Sequence, residues 1–214
     1  MSIVPQPSER DAGVISFTGH TVVFADTDPG WIRGLLPPDS LSAPLNPPFL
    51  GALCERIGRR VNNIDILMLT TAPQGPPPSG LGLRLEPAVD HEHPRIDRAL
   101  RHRENVRART TPGGMVLVGQ GVAGRWEVAV EVDPKARGTG LGRLFARAAR
   151  HLVPDAGPLW AQVAPGNAAS VRALLAAGFV PVGAEALLVP EDIRHGPSGQ
   201  DAGYERYPSG RGAP

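Results

Sequence analysis

"ARGTGLGRLFARAARHLV", residues 136–153, places three glycines, Gly138, Gly140 and Gly142, at the start of an amphipathic run. Leu141, Leu144, Phe145, Ala148 and Leu152 recur at helical spacing, and Arg143, Arg147 and Arg150 fall on the other side as a solvated face. The stretch just before it, "RWEVAVEV" (residues 125–132), has a different period: Val128, Val130 and Val132 alternate with Glu127, Ala129 and Glu131, which predicts a strand. Strand, glycine loop and helix in this order make an anion site. The first amides of the helix have no partner within it, and the helix dipole makes that end positive. The glycines remove side chains that would block the amides, and Arg137 adds charge beside them. No Lys-Ser/Thr pair comes after Gly142, so this is not a nucleoside-triphosphate loop.

A second glycine loop competes for that role. "GQGVAG", residues 119–124, comes after the apolar run "MVLV" and fits the dinucleotide fingerprint letter for letter. That fingerprint must open a helix, and the next element here is the strand 125–132. The loop therefore reads as the bend of a β-hairpin, and a nucleotide-dependent oxidoreductase built on it is the weakest of three functional readings.

Composition narrows the field further. The chain has 214 residues and a net charge of +1, which gives no reason to expect nucleic acid or an anionic membrane as partner. No run approaches a membrane span, and "MSIVPQPSER" lacks a basic then apolar leader, so a cytoplasmic protein is expected. The single cysteine, Cys54, excludes an internal disulfide framework and reads as a small buried hydrophobe. Lys135 is the only lysine; arginine carries the remaining basic charge, as in a GC-rich bacterial genome.

The chain divides at "TAPQGPPPSG", a Pro/Gly-rich linker over residues 71–80. Residues 1–70 read as a divergent N-terminal α/β module. It contains a strand at "HTVVFA", a short helix capped by Asp28 with Pro29 at its first position, a helix at "PPFLGALCERIGRR" and a strand at "NIDILML". Residues 81–192 read as the main domain, with strands at "GLRLEPAV", "VRARTT", "MVLVGQGV", "RWEVAVEV", "PLWAQVA" and "FVPVGAEALLV". Its helices are expected at "PRIDRALRHR", "GLGRLFARAARHLV" and "AASVRALLAAG". Residues 193–214 read as a disordered tail. "DHEHPRID" offers Asp90, His91 and His93 but no zinc spacing, so it reads as a solvated loop and no metal is expected.

Over residues 104–188 the chain resembles the GNAT acyltransferase superfamily. "VDPKARGTGLGRLF" is similar to that family's coenzyme A motif, carried here by Arg137, Gly138, Thr139, Gly140, Leu141 and Gly142. "VAPGNAASVRALLAAGFVPVG" is similar to its next motif, with Asn167 and Ser170 opening a helix that closes on Gly178 and Phe179. Read without the family, Asn167 is a good N-cap and Gly178 a good left-handed C-terminus.

The resemblance implies an α/β GNAT fold: a central mixed, mostly antiparallel sheet, splayed between two strands and flanked by helices. It implies an N-acetyltransferase with acetyl-coenzyme A as co-substrate and a small-molecule or peptide amine as acceptor, with a homodimer as one possible assembly. The pyrophosphate would sit on the amides of residues 137–143, beside Arg143, and the pantetheine arm would contact Asn167 and Ser170. The arm would run along free backbone groups near Val130 and Val132, where an N–H would stabilise the oxyanion.

The base that deprotonates the amine is expected to be Glu127, ranked first, or Glu131, with a bulge in their strand turning one of them toward the acceptor. Where many members carry a tyrosine that protonates the leaving thiolate, this chain has Leu174, which reads as core. That departure keeps a catalytically silent coenzyme A-binding regulatory module as the main alternative. Trp126 and Trp160 lie on the two strands expected to flank the cofactor and either line an acceptor pocket or pack.

Overall fold

The computed structural model describes residues 1–73, 75, 83–88, 93–154 and 156–190. Its N-terminal part starts with a short edge strand, β1 (Ser2–Val4), and a hairpin of β2 (Ala12–Phe17) and β3 (His20–Phe24). The sequence pattern predicts β3 alone. β2 escapes it because Ala12 and Val14 bury on one face and Ile15 on the other, which leaves no polar alternation to detect.

Asp28 caps α1 (Pro29–Leu35) as expected, its carboxylate accepting from the amides of Gly30 and Trp31, both at 3.0 Å. α2 (Pro47–Ile57) stops where Gly58 turns left-handed at φ 64°. Cys54, on α2, is half-buried against the core beneath these two helices. β4 (Arg59–Thr71) then runs for 13 residues, well beyond the seven anticipated.

The remaining elements agree closely with the sequence: α3 (Pro94–His102), β6 (Glu104–Thr111), β7 (Gly114–Gln120), β8 (Trp126–Val132), α4 (Leu141–Ala149), β9 (Pro158–Val163), α5 (Ala168–Ala176) and β10 (Val180–Pro190). One expectation needs correction. The strand at "GLRLEPAV" is reduced, among the described residues, to the two-residue β5 (Glu86–Pro87) at the sheet edge, where Pro87, lacking an N–H, can be tolerated.

Among the described residues the strands form one sheet in the order β1-β3-β2-β10-β4-β9-β8-β7-β6-β5. All neighbours are antiparallel except β1/β3 and β8/β9. This is the mixed, mostly antiparallel α/β architecture expected. The consequential feature is β4, which inserts between β9 and β10 with Ile66 opposite Val163 and Asp65 opposite Glu185. Leu67 and Met68 point to opposite faces and are both fully buried. A strand buried on both faces belongs at the centre of a sheet. The last strand of the N-terminal 70 residues therefore completes the sheet of the rest of the chain. The linker expected at residues 71–80 starts on this strand, since Thr71 pairs with Pro158; most of it lies outside the described residues, as does the tail 193–214.

One face of the sheet carries the helices α1 and α2 over Val14, Ala186 and Leu188, and α4 and α5 over Val116, Val128 and Leu159. Ile64 and Ile66, two residues apart on β4, join the two clusters on that face. Leu174 is 6 % exposed within the second, as expected of a core residue. The other face carries α3 and a smaller cluster around Leu67, Val122, Trp160 and Leu187.

Candidate functional site: a notch between β8 and β9 and the polar layer behind it

The parallel strands β8 and β9 pair only at their starts, Trp126 with Leu159 and Glu127 with Trp160. Beyond that point they splay, as the resemblance implied. On its other edge β8 pairs with β7 without interruption from Gln120/Trp126 to Gly114/Val132. Gly121 N donates to Arg125 O and Asp133 N to Gly113 O, both at 2.9 Å. In an antiparallel ladder the bonded positions then fall on residues 127, 129 and 131, so Val128, Val130 and Val132 turn their N–H and C=O groups away from β7, toward the notch. The free backbone groups anticipated near Val130 and Val132 are a direct result of this register.

At the mouth of the notch lies the 137–142 turn. Gly138 and Gly140 adopt φ 80° and 87°, and a Cβ on either would meet nothing within 4 Å. α4 begins at Leu141 with no side-chain cap. Arg143 N and Leu144 N bond Gly140 O, but the amides of residues 138–142 find no acceptor among the described residues. Thr139 Oγ1 donates to Ala136 O at 2.8 Å and shapes the turn. Arg137 and Arg143 are exposed and form no ion pair among the described residues. Gly142 lies close to Ala173 of α5 and Val132 of β8, which joins the turn to both walls.

α5 starts differently. Asn167 Oδ1 accepts from Ser170 N at 3.0 Å, the cap read from the sequence. Gly178, at φ 90°, ends the helix, and Phe179 N returns to Leu174 O with its ring fully buried.

The "GQGVAG" loop forms the bend joining β7 to β8, as anticipated, with a short 3-10 turn over Val122–Gly124. Its glycine is there for a packing reason: a Cβ on Gly121 would lie 2.4 Å from the carboxyl carbon of Glu127.

The expected bulge in β8 is absent. The unbroken β7/β8 register puts Glu127 and Glu131 on one face, opposite Val128, Val130 and Val132. Glu127 is 4 % exposed, and its oxygens accept from Arg103 Nε (3.0 Å), Arg125 Nε (2.8 Å) and Gln162 Nε2 (3.3 Å). Glu131 pairs with Arg95 of α3 and lines a cavity of about 470 Å³ with Glu86, His93, Met115 and Asp133. His93 caps α3 by accepting from Arg95 N, while Asp90 and His91 lie outside the described residues.

Sequence reasoning missed the rest of this layer. Glu185 of β10 is 1 % exposed and accepts from Arg125 Nη2 (2.8 Å) and Gln162 Nε2 (2.6 Å); its Oε2 lies 2.6 Å from Arg125 Nη1 without hydrogen-bond geometry. Burial opposes the charge on Arg125, but the hydrogen bond and charge of Glu185, with those of Glu127, outweigh it and hold the guanidinium above its ordinary value. Asp65 of β4 completes the row. Burial pushes its carboxyl up to about 6, assisted by Glu185 and opposed by Arg98 and an Asn63 hydrogen bond. One signal was available: a lone glutamate inside the apolar run "GAEALLV" demands a buried cation. Trp160 packs edge-on to Phe17 with Arg125 over its ring, whereas Trp126 lies on the helix face beneath Arg107.

No family model matches the chain, and no curated protein does. Among solved structures it is similar to a GCN5-related N-acetyltransferase from Kribbella flavida, 18% identical over 67% of this chain and 64% of that one, with a TM-score of 0.43. It is also similar to a GCN5-related N-acetyltransferase from Sphaerobacter thermophilus, 16% identical over 66% of this chain and 55% of that one, with a TM-score of 0.37. The chain thus spans less than two thirds of either relative. The architecture itself is the one the GNAT resemblance implies: a mixed, mostly antiparallel sheet, splayed between two strands and flanked by helices. Among the described residues no helix is long and apolar enough to cross a membrane.

Proposed function

We propose that this protein transfers an acetyl group from acetyl-coenzyme A to an amine acceptor by direct attack in a ternary complex. One observation carries the reading: a β8/β9 notch lined by unpaired backbone groups opens beside an uncapped helix N-terminus in a glycine turn. In this reading the amides of residues 138–142 hold the pyrophosphate, with Arg137 and Arg143 beside it. The fit is supported by the open space over Gly138 and Gly140. The pantetheine arm lies along Val130 and Val132 as an added strand, with Asn167 and Ser170 on its other side. A β8 N–H facing the notch then stabilises the thioester oxygen as charge develops on it. The acceptor reaches the notch from the face that carries Glu127 and Glu131.

Leu174 favours a second reading. It is buried in the core and cannot protonate a thiolate, so a catalytically silent coenzyme A-binding module is the alternative. Calorimetry with acetyl-coenzyme A, coenzyme A and NAD tests the shared part: the first two bind and NAD does not. Thiol release over a panel of amines then separates the readings. Release with at least one amine supports the enzyme, and binding without release across the panel supports the silent module.

A further inference from the structure

Behind the notch, on the face away from α4 and α5, four adjacent strands present a row of polar side chains: Glu127 on β8, Gln162 on β9, Asp65 on β4 and Glu185 on β10. The row has an asymmetry. Glu127 and Glu185 share Arg125 and Gln162, and Glu127 has Arg103 as well. Both are fixed as ion-pair partners, and neither is placed to accept a further proton without breaking a buried pair.

Asp65 is bound differently. Its Oδ1 accepts from Asn63 Nδ2 at 2.7 Å, and no cation among the described residues pairs with it. Its Oδ2 has no partner there, and the side chain is half-buried, unlike the enclosed Glu185. Leu67 faces Gln162 and Ile66 faces Val163, so Asp65 lies just past the end of β9, where β8 has already diverged. One strand spacing, about 4.8 Å, separates its strand from β9, the near edge of the notch.

We propose, resting on the acetyltransferase reading, that Asp65 is the catalytic base that takes the proton from the acceptor ammonium, through a water. Asp65 Oδ2 receives one proton from the water as the water takes it from nitrogen. The freed lone pair forms the C–N bond, and the C–S bond breaks with its electron pair passing to sulfur. The nitrogen sheds a second proton to the thiolate, and Asp65 returns its own to solvent. Burial, assisted by Glu185 from β10, holds the carboxyl in the range a base needs near neutrality, while Arg98 on α3 and Asn63 on its own strand keep it from rising further. Gln162 on β9 and Arg125 are engaged with Glu127 and Glu185.

The test uses the full chain, acetyl-coenzyme A and an amine that releases thiol in the panel. Asp65→Asn should lower kcat about 10²–10⁴-fold, leave acetyl-coenzyme A affinity unchanged and abolish the rising limb of the pH–rate profile near pH 6. Asn63→Ala, which removes a hydrogen bond that favours the carboxylate, should move that limb to higher pH while activity remains. The proposal is overturned if Asp65→Asn keeps the parent kcat and limb, or if the limb in Asn63→Ala stays where it was. Should Asp65→Asn fail to fold, the Asn63→Ala profile decides. A parent enzyme that releases no thiol with any amine overturns the acetyltransferase reading, and Asp65 as base falls with it; the other outcomes overturn Asp65 alone.

Discussion

Two glycine loops lie on either side of β8, and they use glycine for opposite ends. In the 119–124 loop, Gly121 makes room for a protein group: its missing Cβ is the space that the Glu127 carboxylate occupies. In the 137–142 turn, Gly138 and Gly140 make room for no group among the described residues, and the amides of this left-handed turn find no acceptor there. The first loop matches a nucleotide fingerprint by its letters and is a packing device. The second has the free donors a phosphate requires. Spacing of glycines alone does not define an anion site; a helix N-terminus behind them does.

The sharpest way to break this contrast is to remove what the first loop packs against. Glu127→Ala leaves Arg103 without its carboxylate and Arg125 with Glu185 alone, and should cost about 3–5 kcal/mol of stability. Denaturant melts measure it, and acetyl-coenzyme A affinity of the folded protein should not change. An unaltered midpoint would show that the ion pairs do not hold the loop. Gly121→Ala asks the same question from the other side. A Cβ 2.4 Å from a pinned carboxylate must displace it, at a cost of about 1–3 kcal/mol, again without loss of cofactor affinity. Loss of acetyl-coenzyme A binding in this variant would mean that the loops have been assigned the wrong way round.

For the second loop the effect should appear in binding. Gly140→Glu puts a negative charge beside the free amides and should weaken acetyl-coenzyme A at least tenfold, about 1.4 kcal/mol. Its φ of 87° also strains any side chain, so Gly140→Ala serves as the control: similar strain, and a smaller loss of affinity. Equal affinities for the parent and the glutamate variant would remove the turn from the site. The smallest effect is expected at α5, whose N-terminus is closed by its own asparagine. Asn167→Ala should cost about 1 kcal/mol of stability by freeing Ser170 N, and calorimetry would reveal any additional role in binding.

Much of the fold was legible in the chain because it depends on neighbours in sequence. The Asp28 and Asn167 caps, the Gly178 helix end, the valine alternation in β8 and the apolar stripe of α4 are each set by residues within a turn or two of one another. Local steric and hydrogen-bond rules act over that range, so the order of strand, glycine turn and helix, and with it the candidate phosphate site, could be read directly. β2 could not, because its two buried faces erase the period that marks a half-buried strand.

Only the tertiary structure decided which distant residues meet. Nothing in "NIDILML" says that it will lie between β9 and β10 and bring Asp65 beside Glu185, 120 positions later. Nothing in "RWEVAVEV" says whether a bulge will part Glu127 from Glu131, or that two arginines will close over the first of them. Strand order and register are chosen by the burial of whole faces across the sheet. That is a property of the assembled core, and it determined which carboxylate was tied down and which was left free.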